Sequence, residues 1–273
     1  MAIPVWRHLG FMLVCACMIS SARAEGELEA GVAAVKRGDY ETALKNWQPL
    51  AQKGNTDAQT NMGVLYERGW GVPKDYTKAV SWYRKAAEKG NATAQNNLGV
   101  FFERGWGVAQ DFKAAADWYR KAALQGDLNG QNNLGVLHER GQGVPQDIPE
   151  ALRLYRAAAS KGLAQAQNNL GVFYERGRGV PQDYKQAAVW YRRAAEQGNA
   201  AAQNNLGVLY GTGRGLTEDI VQANFWFTLS ASGGSANGAT NRDNTSRRLT
   251  PVQRESVDKL LAEWKLRQIG RAS

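Results

Sequence analysis

Few residues of this 273-residue chain are of the types that do covalent chemistry. His138 is the only histidine after residue 24, and it falls where Tyr66, Phe102, Tyr174 and Tyr210 fall at 36-residue intervals. It therefore reads as a half-buried stand-in for an aromatic ring. Ser256-Val257-Asp258-Lys259 has the spacing at which a lysine one helical turn away can activate a serine, but the Ser-Asp-Asn and Lys-Thr-Gly partners of that arrangement are absent. No His, Cys and Asp cluster has metal-ligand spacing, and no glycine-rich phosphate loop or nucleophile elbow occurs. No catalytic residue, metal or cofactor is assigned.

What the chain offers instead is recognition chemistry, repeated. Gln59, Gln95, Gln131, Gln167 and Gln203 each open a copy of one motif, with Gly63, Gly99, Gly135, Gly171 and Gly207 in register. Within each copy some positions drift, such as Thr93 against Asp57, Asn129, Gln165 and Ala201. Others hold: Asn96, Asn97, Val100, Glu103 and Arg104, with counterparts such as Arg140. A residue between two loop glycines reads Trp70, Trp106, Gln142, Arg178 and Arg214 in turn. A position that accepts Trp, Gln and Arg is not closed core, and Trp and Arg are the residues most enriched at binding hot spots. Trp70 and Trp106 on adjacent loops would make an apolar patch. The alternative is that each Trp folds over its own loop, and that the repeated Asn, Glu and Arg bond neighbouring repeats.

The elements that position these residues follow from the period. A fixed repeat of 36 residues means stacked supersecondary units rather than one closed globule. Residues 91–104 carry Ala94, Leu98, Phe101 and Phe102 at helical spacing. Gly99 lies on that face, and its recurrence predicts another backbone packed close to it. Gly105 and Gly107 break the helix, and Asp111 is placed to cap a second one. That helix carries Ala115, Trp118, Tyr119, Ala122 and Ala123 and stops at Gln125-Gly126. Its aromatic pair recurs as Trp82-Tyr83, Trp190-Tyr191 and Trp226-Phe227, with Leu154-Tyr155 as the smaller variant, and reads as core.

The resulting pattern, Ala-Gln-x-Asn-Leu-Gly through Gly-x-Gly-Val to Trp-Tyr-x-x-Ala-Ala, resembles the Sel1-like repeat, a longer-looped relative of the tetratricopeptide repeat. The expected fold is all-α, a right-handed α-solenoid of stacked helix pairs with helical caps. Residues 55–234 would hold five 36-residue repeats. Residues 25–54, with Gly38 to Leu44, resemble a tetratricopeptide-like helix pair. Residues 235–273 would be a C-terminal helical cap: the repeat pattern fails after Gly234, and a helix begins at Thr250, where Thr250 and Gln253 form a capping box around Pro251. Val257, Leu260, Leu261 and Trp264 would face the last repeat.

The resemblance also implies a function: a non-catalytic adaptor for another protein. By likeness to tetratricopeptide arrays, the first helices line a groove in which Asn61, Asn97, Asn133, Asn169 and Asn205 hold the backbone of an extended peptide, an amide being able to pair with a peptide unit bidentately. Asn96, Arg104 and Arg140 would flank them, with Trp70, Trp106, Arg178 and Arg214 on the loop edge. Some Sel1-like proteins carry a β-lactamase label, but those are cysteine-rich. Here Cys15 and Cys17 are the only cysteines.

Residues 1–24 read as a signal peptide: Arg7 and His8, an apolar stretch from Leu9 to Ile19 too short to span a bilayer, and Ala22-Arg23-Ala24 before cleavage. The product is expected to be exported, to the periplasm or beyond, with no transmembrane segment after cleavage. The formal net charge of +9 becomes +7 when Arg7 and Arg23 leave, since no acid leaves with them. That balance suits a solvated surface or an acidic partner, including an anionic polysaccharide. Nucleic acid is not expected, because Lys and Arg form no block. Two rival readings are a glycan-binding module, with Trp70 and Trp106 stacking on sugars, and an envelope hydrolase.

Overall fold

The structure is a computed structural model that describes residues 24–272; the signal-peptide reading for residues 1–23 and both cysteines lie outside them. Among the described residues all regular structure is helical, in fourteen helices. These are α1 (24–36), α2 (Tyr40–Gln52), α3 (Thr56–Arg68), α4 (Tyr76–Glu88), α5 (Ala92–Arg104), α6 (Phe112–Leu124) and α7 (Leu128–Arg140), then α8 (Ile148–Ser160), α9 (Ala164–Arg176), α10 (Tyr184–Glu196), α11 (Ala200–Thr212), α12 (Ile220–Ser232), α13 (Ala236–Ser246) and α14 (Pro251–Ala272). The chain divides into two compact units, up to Gly130 and from Gln131 onward. Within each, helices pack on their neighbours in chain order, as an all-α repeat solenoid does.

Every second helix starts on an aspartate. Asp39, Asp75, Asp111, Asp147, Asp183 and Asp219 accept from the backbone N–H three residues on, satisfying a donor the helix cannot pair itself. First helices end on a glycine in the left-handed region, such as Gly105 at φ 69°. The second loop glycine answers a close approach. A Cβ on Gly107 would come within 2.5 Å of the Tyr76 carbonyl carbon, and one on Gly215 within 2.4 Å of the Tyr184 carbonyl carbon. These two loops thus lie flat on the start of the preceding repeat's second helix.

In the first unit α1 and α2 form a shorter-looped version of the pair. Trp47 takes the place that Tyr83 takes one period later, resting on Gly31 and donating its indole N–H to the Leu28 carbonyl at 3.0 Å. Ala58, Met62 and Leu65 close this core, and Ala79, Tyr83, Ala94, Leu98 and Phe101 form the next.

In the second unit the core runs through Ala187, Tyr191, Leu206, Leu209 and Trp226, with Leu260, Leu261 and Trp264 of α14 packed on it. The capping box is reciprocal, Thr250 N–H to Gln253 Oε1 at 2.9 Å and Gln253 N–H to Thr250 Oγ1 at 3.3 Å. The polar stretch after Gly234 departs from expectation, because it keeps the period. Ser235 caps α13 one repeat after Asn199 caps α11. The buried Asn224 donates to the Arg242 carbonyl and to the hydroxyls of Thr245 and Ser246, at 3.0, 2.7 and 2.8 Å. Hydrogen bonds replace apolar contact here, so hydrophobic periodicity did not reveal the helix.

Candidate interaction surfaces

The Glu of the Glu-Arg pair, present in four of the five 36-residue repeats, has a structural task. Tyr83 donates its hydroxyl to Glu67 at 2.6 Å, Tyr119 to Glu103 at 2.7 Å and Tyr155 to Glu139 at 2.8 Å; Tyr191 does the same to Glu175. All four rings are fully buried. Burial first, then the hydrogen bond to a carboxylate or that carboxylate's charge, pushes each phenol pKa far above its usual value. The sequence analysis missed this pairing, although a signal was present: in the last repeat Gly211 stands in the Glu position and Phe227 in the Tyr position, both changed together. A double-mutant cycle tests it. Glu103→Ala alone leaves a buried hydroxyl without an acceptor and is expected to cost about 2 kcal/mol in urea unfolding. Adding Tyr119→Phe is expected to return most of that, a coupling that equal and additive losses would refute.

The recurring glycine faces this same ring. A Cβ on Gly99 would stand 2.6 Å from Tyr119 Cδ1 and Cε1, and Gly63, Gly171 and Gly207 meet Tyr83, Tyr191 and Phe227 in the same way. The close neighbour expected to be a backbone is a tyrosine ring from the repeat's own second helix. The tryptophans beside those tyrosines are not closed core either. Trp82, Trp118 and Trp190 are half-buried, each with a cation three residues on above its ring: Lys85 at 4.3 Å, Lys121 at 3.9 Å and Arg193 at 4.5 Å.

The asparagines form a ladder in the second unit. Asn169 Nδ2 donates to Asn132 Oδ1 at 2.9 Å, Asn205 to Asn168 at 3.1 Å, and Asn241 of α13 to Asn204 at 2.9 Å. In the first unit the Asn96 amide reaches Asn97 Oδ1 at 3.5 Å, and Asn97 bonds the Tyr83 hydroxyl. Asn96, Asn132 and Asn168 are buried, while Asn61, Asn97, Asn133, Asn169 and Asn205 are half-buried. Each of these ladder bonds uses one of the two N–H groups of Asn169 and Asn205, whose side chains are half-buried. Val100 and its counterparts are also half-buried, one turn along the same helix face. Arg104, Arg140 and Arg176 follow them, exposed and in no ion pair among the described residues.

The loop residues pack on the preceding repeat. Trp70 stacks on Tyr40, centroids 4.9 Å apart at 10°, and Trp106 on Tyr76, 5.2 Å apart at 4°. Arg214 lies over Tyr184 at 5.7 Å, while Arg178 sits over Phe173 and pairs with Glu139. Neither tryptophan merely covers its own loop, and Trp106 remains 37 % exposed.

The residues first considered for chemistry are not brought together. The Ser256 hydroxyl donates to the Val252 carbonyl on an exposed turn of α14, and His138 is half-buried in α7. Among the described residues no group of three or more His, Cys, Asp or Glu is placed to hold a metal ion, and no helix is long and apolar enough to cross a membrane.

Stacked helix pairs with an unvaried polar row on the first helices define a repeat solenoid of the tetratricopeptide-related class. The Sel1 repeat family model matches residues 26–55, 56–91, 92–127, 128–163, 164–199 and 200–235, so the shorter first pair counts as a sixth copy. The chain belongs to the Sel1 repeat family. A Sel1 repeat protein from Oxalobacter formigenes is 36% identical, with 78% of this chain and 84% of that one covered and a TM-score of 0.71. A Klebsiella pneumoniae Sel1 repeat protein (24% identity, 73% and 97% covered, TM-score 0.51) and the immunity protein Pa5087 of Pseudomonas aeruginosa (23%, 79% and 83%, 0.54) share the fold. No curated protein matches the chain. Sel1 repeats generally mediate protein–protein interaction and are generally non-catalytic.

Proposed function

We propose that the protein is an exported, non-catalytic adaptor of the periplasm that holds a partner protein along its first-helix faces, with the loop edge adding contacts. One observation carries this reading. Of the repeated Glu-Arg pair, the Glu is used by the buried tyrosine, whereas Arg104, Arg140 and Arg176 stay exposed beside half-buried Val and Asn rows. The cation recurs in four consecutive repeats, from Arg68 to Arg176, and in the last three of them forms no ion pair among the described residues; such a repeated exposed charge suits recognition better than stability, to which exposed charges contribute little. Amide, aliphatic and guanidinium groups one turn apart suit a peptide's backbone, side chains and carboxylates respectively. The rings expected to stack on sugars already have one face on Tyr40 or Tyr76, which favours a protein ligand over a glycan.

The test has two arms. Cell fractionation with and without residues 1–24 is expected to move the protein from the periplasm to the cytoplasm; unchanged location refutes export by that segment. Partner capture from envelope extract, quantified by mass spectrometry, is run with Arg104→Glu/Arg140→Glu/Arg176→Glu and with Trp106→Ala. A partner kept by wild type and lost by the triple variant, with helicity intact, is the expected result. A partner held equally by all three proteins removes both surfaces from the proposal.

A further inference from the structure

A second surface lies on a second helix, independent of the first-helix face. In α6 and α8 the outer face is self-neutralised: Arg120 pairs with Asp117 at 2.7 Å, and Arg153 with Glu150 at 2.7 Å. In α10 neither pair survives: Arg192 stands two repeats after Arg120, but the partner acids are replaced and Val189 also takes the place of Arg153. Val189 stands two repeats after Asp117, and Gln186 one repeat after Glu150. Lys185, Arg192 and Arg193 form no ion pair among the described residues. They line a groove of about 340 Å³ together with Val189, Leu216 and Glu196, its one acid.

Two of these cations are held in place from behind. Arg192 Nη2 donates to the Tyr210 hydroxyl at 2.6 Å, and the Arg193 guanidinium lies 4.5 Å from the Trp190 ring centre. Held this way, they lose less side-chain freedom when a ligand binds. Arg214, next in the chain to the lining residue Gly215, lies over the Tyr184 ring and gives that loop a further positive charge. The floor is aliphatic, and Val189 is 44 % exposed where the three preceding repeats carry the polar Ser81, Asp117 and Arg153; the apolar counterpart that follows, Phe225, is buried. A solvated face has no need of that valine.

We propose that this groove docks an acidic segment of a partner protein, with an aliphatic side chain seated on Val189 and Leu216 and carboxylates against Lys185, Arg192 and Arg193. Charge complementarity selects the acidic ligand. The aliphatic floor selects a peptide over an anionic polysaccharide, which would meet the charges and leave the valine unused.

The experiment is fluorescence anisotropy on the purified protein with three probes: a labelled glutamate-rich peptide with a central leucine, the same peptide with glycine in its place, and polygalacturonate. The leucine peptide is expected to bind about ten-fold more tightly than the glycine peptide, a difference that Val189→Asp removes. Lys185→Glu/Arg193→Glu is expected to abolish binding of both, and raising the salt to weaken it several-fold. Arg104→Glu/Arg140→Glu/Arg176→Glu is expected to leave all three probes unchanged, so failure of the first-helix reading is distinguishable from failure here. Equal binding of the two peptides, tighter binding of polygalacturonate, indifference to Val189→Asp, or no binding at all would each overturn the proposal.

Discussion

Gly99→Ala is expected to destabilise the protein by about 2–3 kcal/mol, although alanine is the better helix former by about 1 kcal/mol. The added methyl would stand 2.6 Å from two carbons of the Tyr119 ring and 3.3 Å from the Ala115 carbonyl oxygen. That ring is fully buried and its hydroxyl is bonded to Glu103, so it has no free direction in which to yield. The same substitution at Gly211, also inside a first helix, should do the opposite. Its Cβ meets only Ala223 Cβ at 3.5 Å, an ordinary contact, and a gain of about 1 kcal/mol is expected from helix propensity alone. Urea midpoints of the two variants read the contrast directly. A Gly99→Ala protein as stable as wild type would show that the ring is not the reason for the glycine.

The second large effect is on alkaline stability. Tyr83, Tyr119, Tyr155 and Tyr191 have folded pKa values raised far above the unfolded value near 10, through burial and a carboxylate acceptor. A raised folded pKa keeps its stabilisation below the unfolded pKa and loses it as pH climbs above, because only the unfolded chain releases the proton. Each tyrosine should therefore cost about 1.4 kcal/mol per pH unit above pH 10, and the four together about 5.5 kcal/mol per unit. Unfolding between pH 10 and about pH 11.5 is expected, with phenolate absorbance at about 295 nm appearing together with loss of helicity. Tyr119→Phe should make the decline shallower. Early phenolate absorbance from these four rings in a still-helical protein would contradict the assignment.

How much of this was legible depended on distance along the chain. The aspartate caps, the loop glycines and the Thr250–Gln253 box act over three or four residues, and sequence alone placed them. Asn97, Asn133 and Arg104 were marked by their repetition, but repetition has two causes, and the sequence offered no means of separating a ladder from a binding row. The Asn169–Asn132 bond spans 37 residues and the Tyr119–Glu103 bond 16, so each needs two helices brought together before it exists. Helix α13 was missed for a related reason: its buried contacts are made by Asn224, Thr245 and Asn241, polar residues that hydrophobic periodicity counts as surface.

The sequence by itself determined the 36-residue period, the helix pairs, their caps and the all-α repeat class, because each rests on local backbone preference and on the spacing of apolar residues. Only the tertiary structure decided which side chains are spent internally and which are left over. Glu103 and Gly99 belong to the Tyr119 ring, Trp106 to Tyr76, and Arg104 and Val189 to neither. The physical reason is that a side chain's donors and faces are finite, and only the packed neighbours show which remain open.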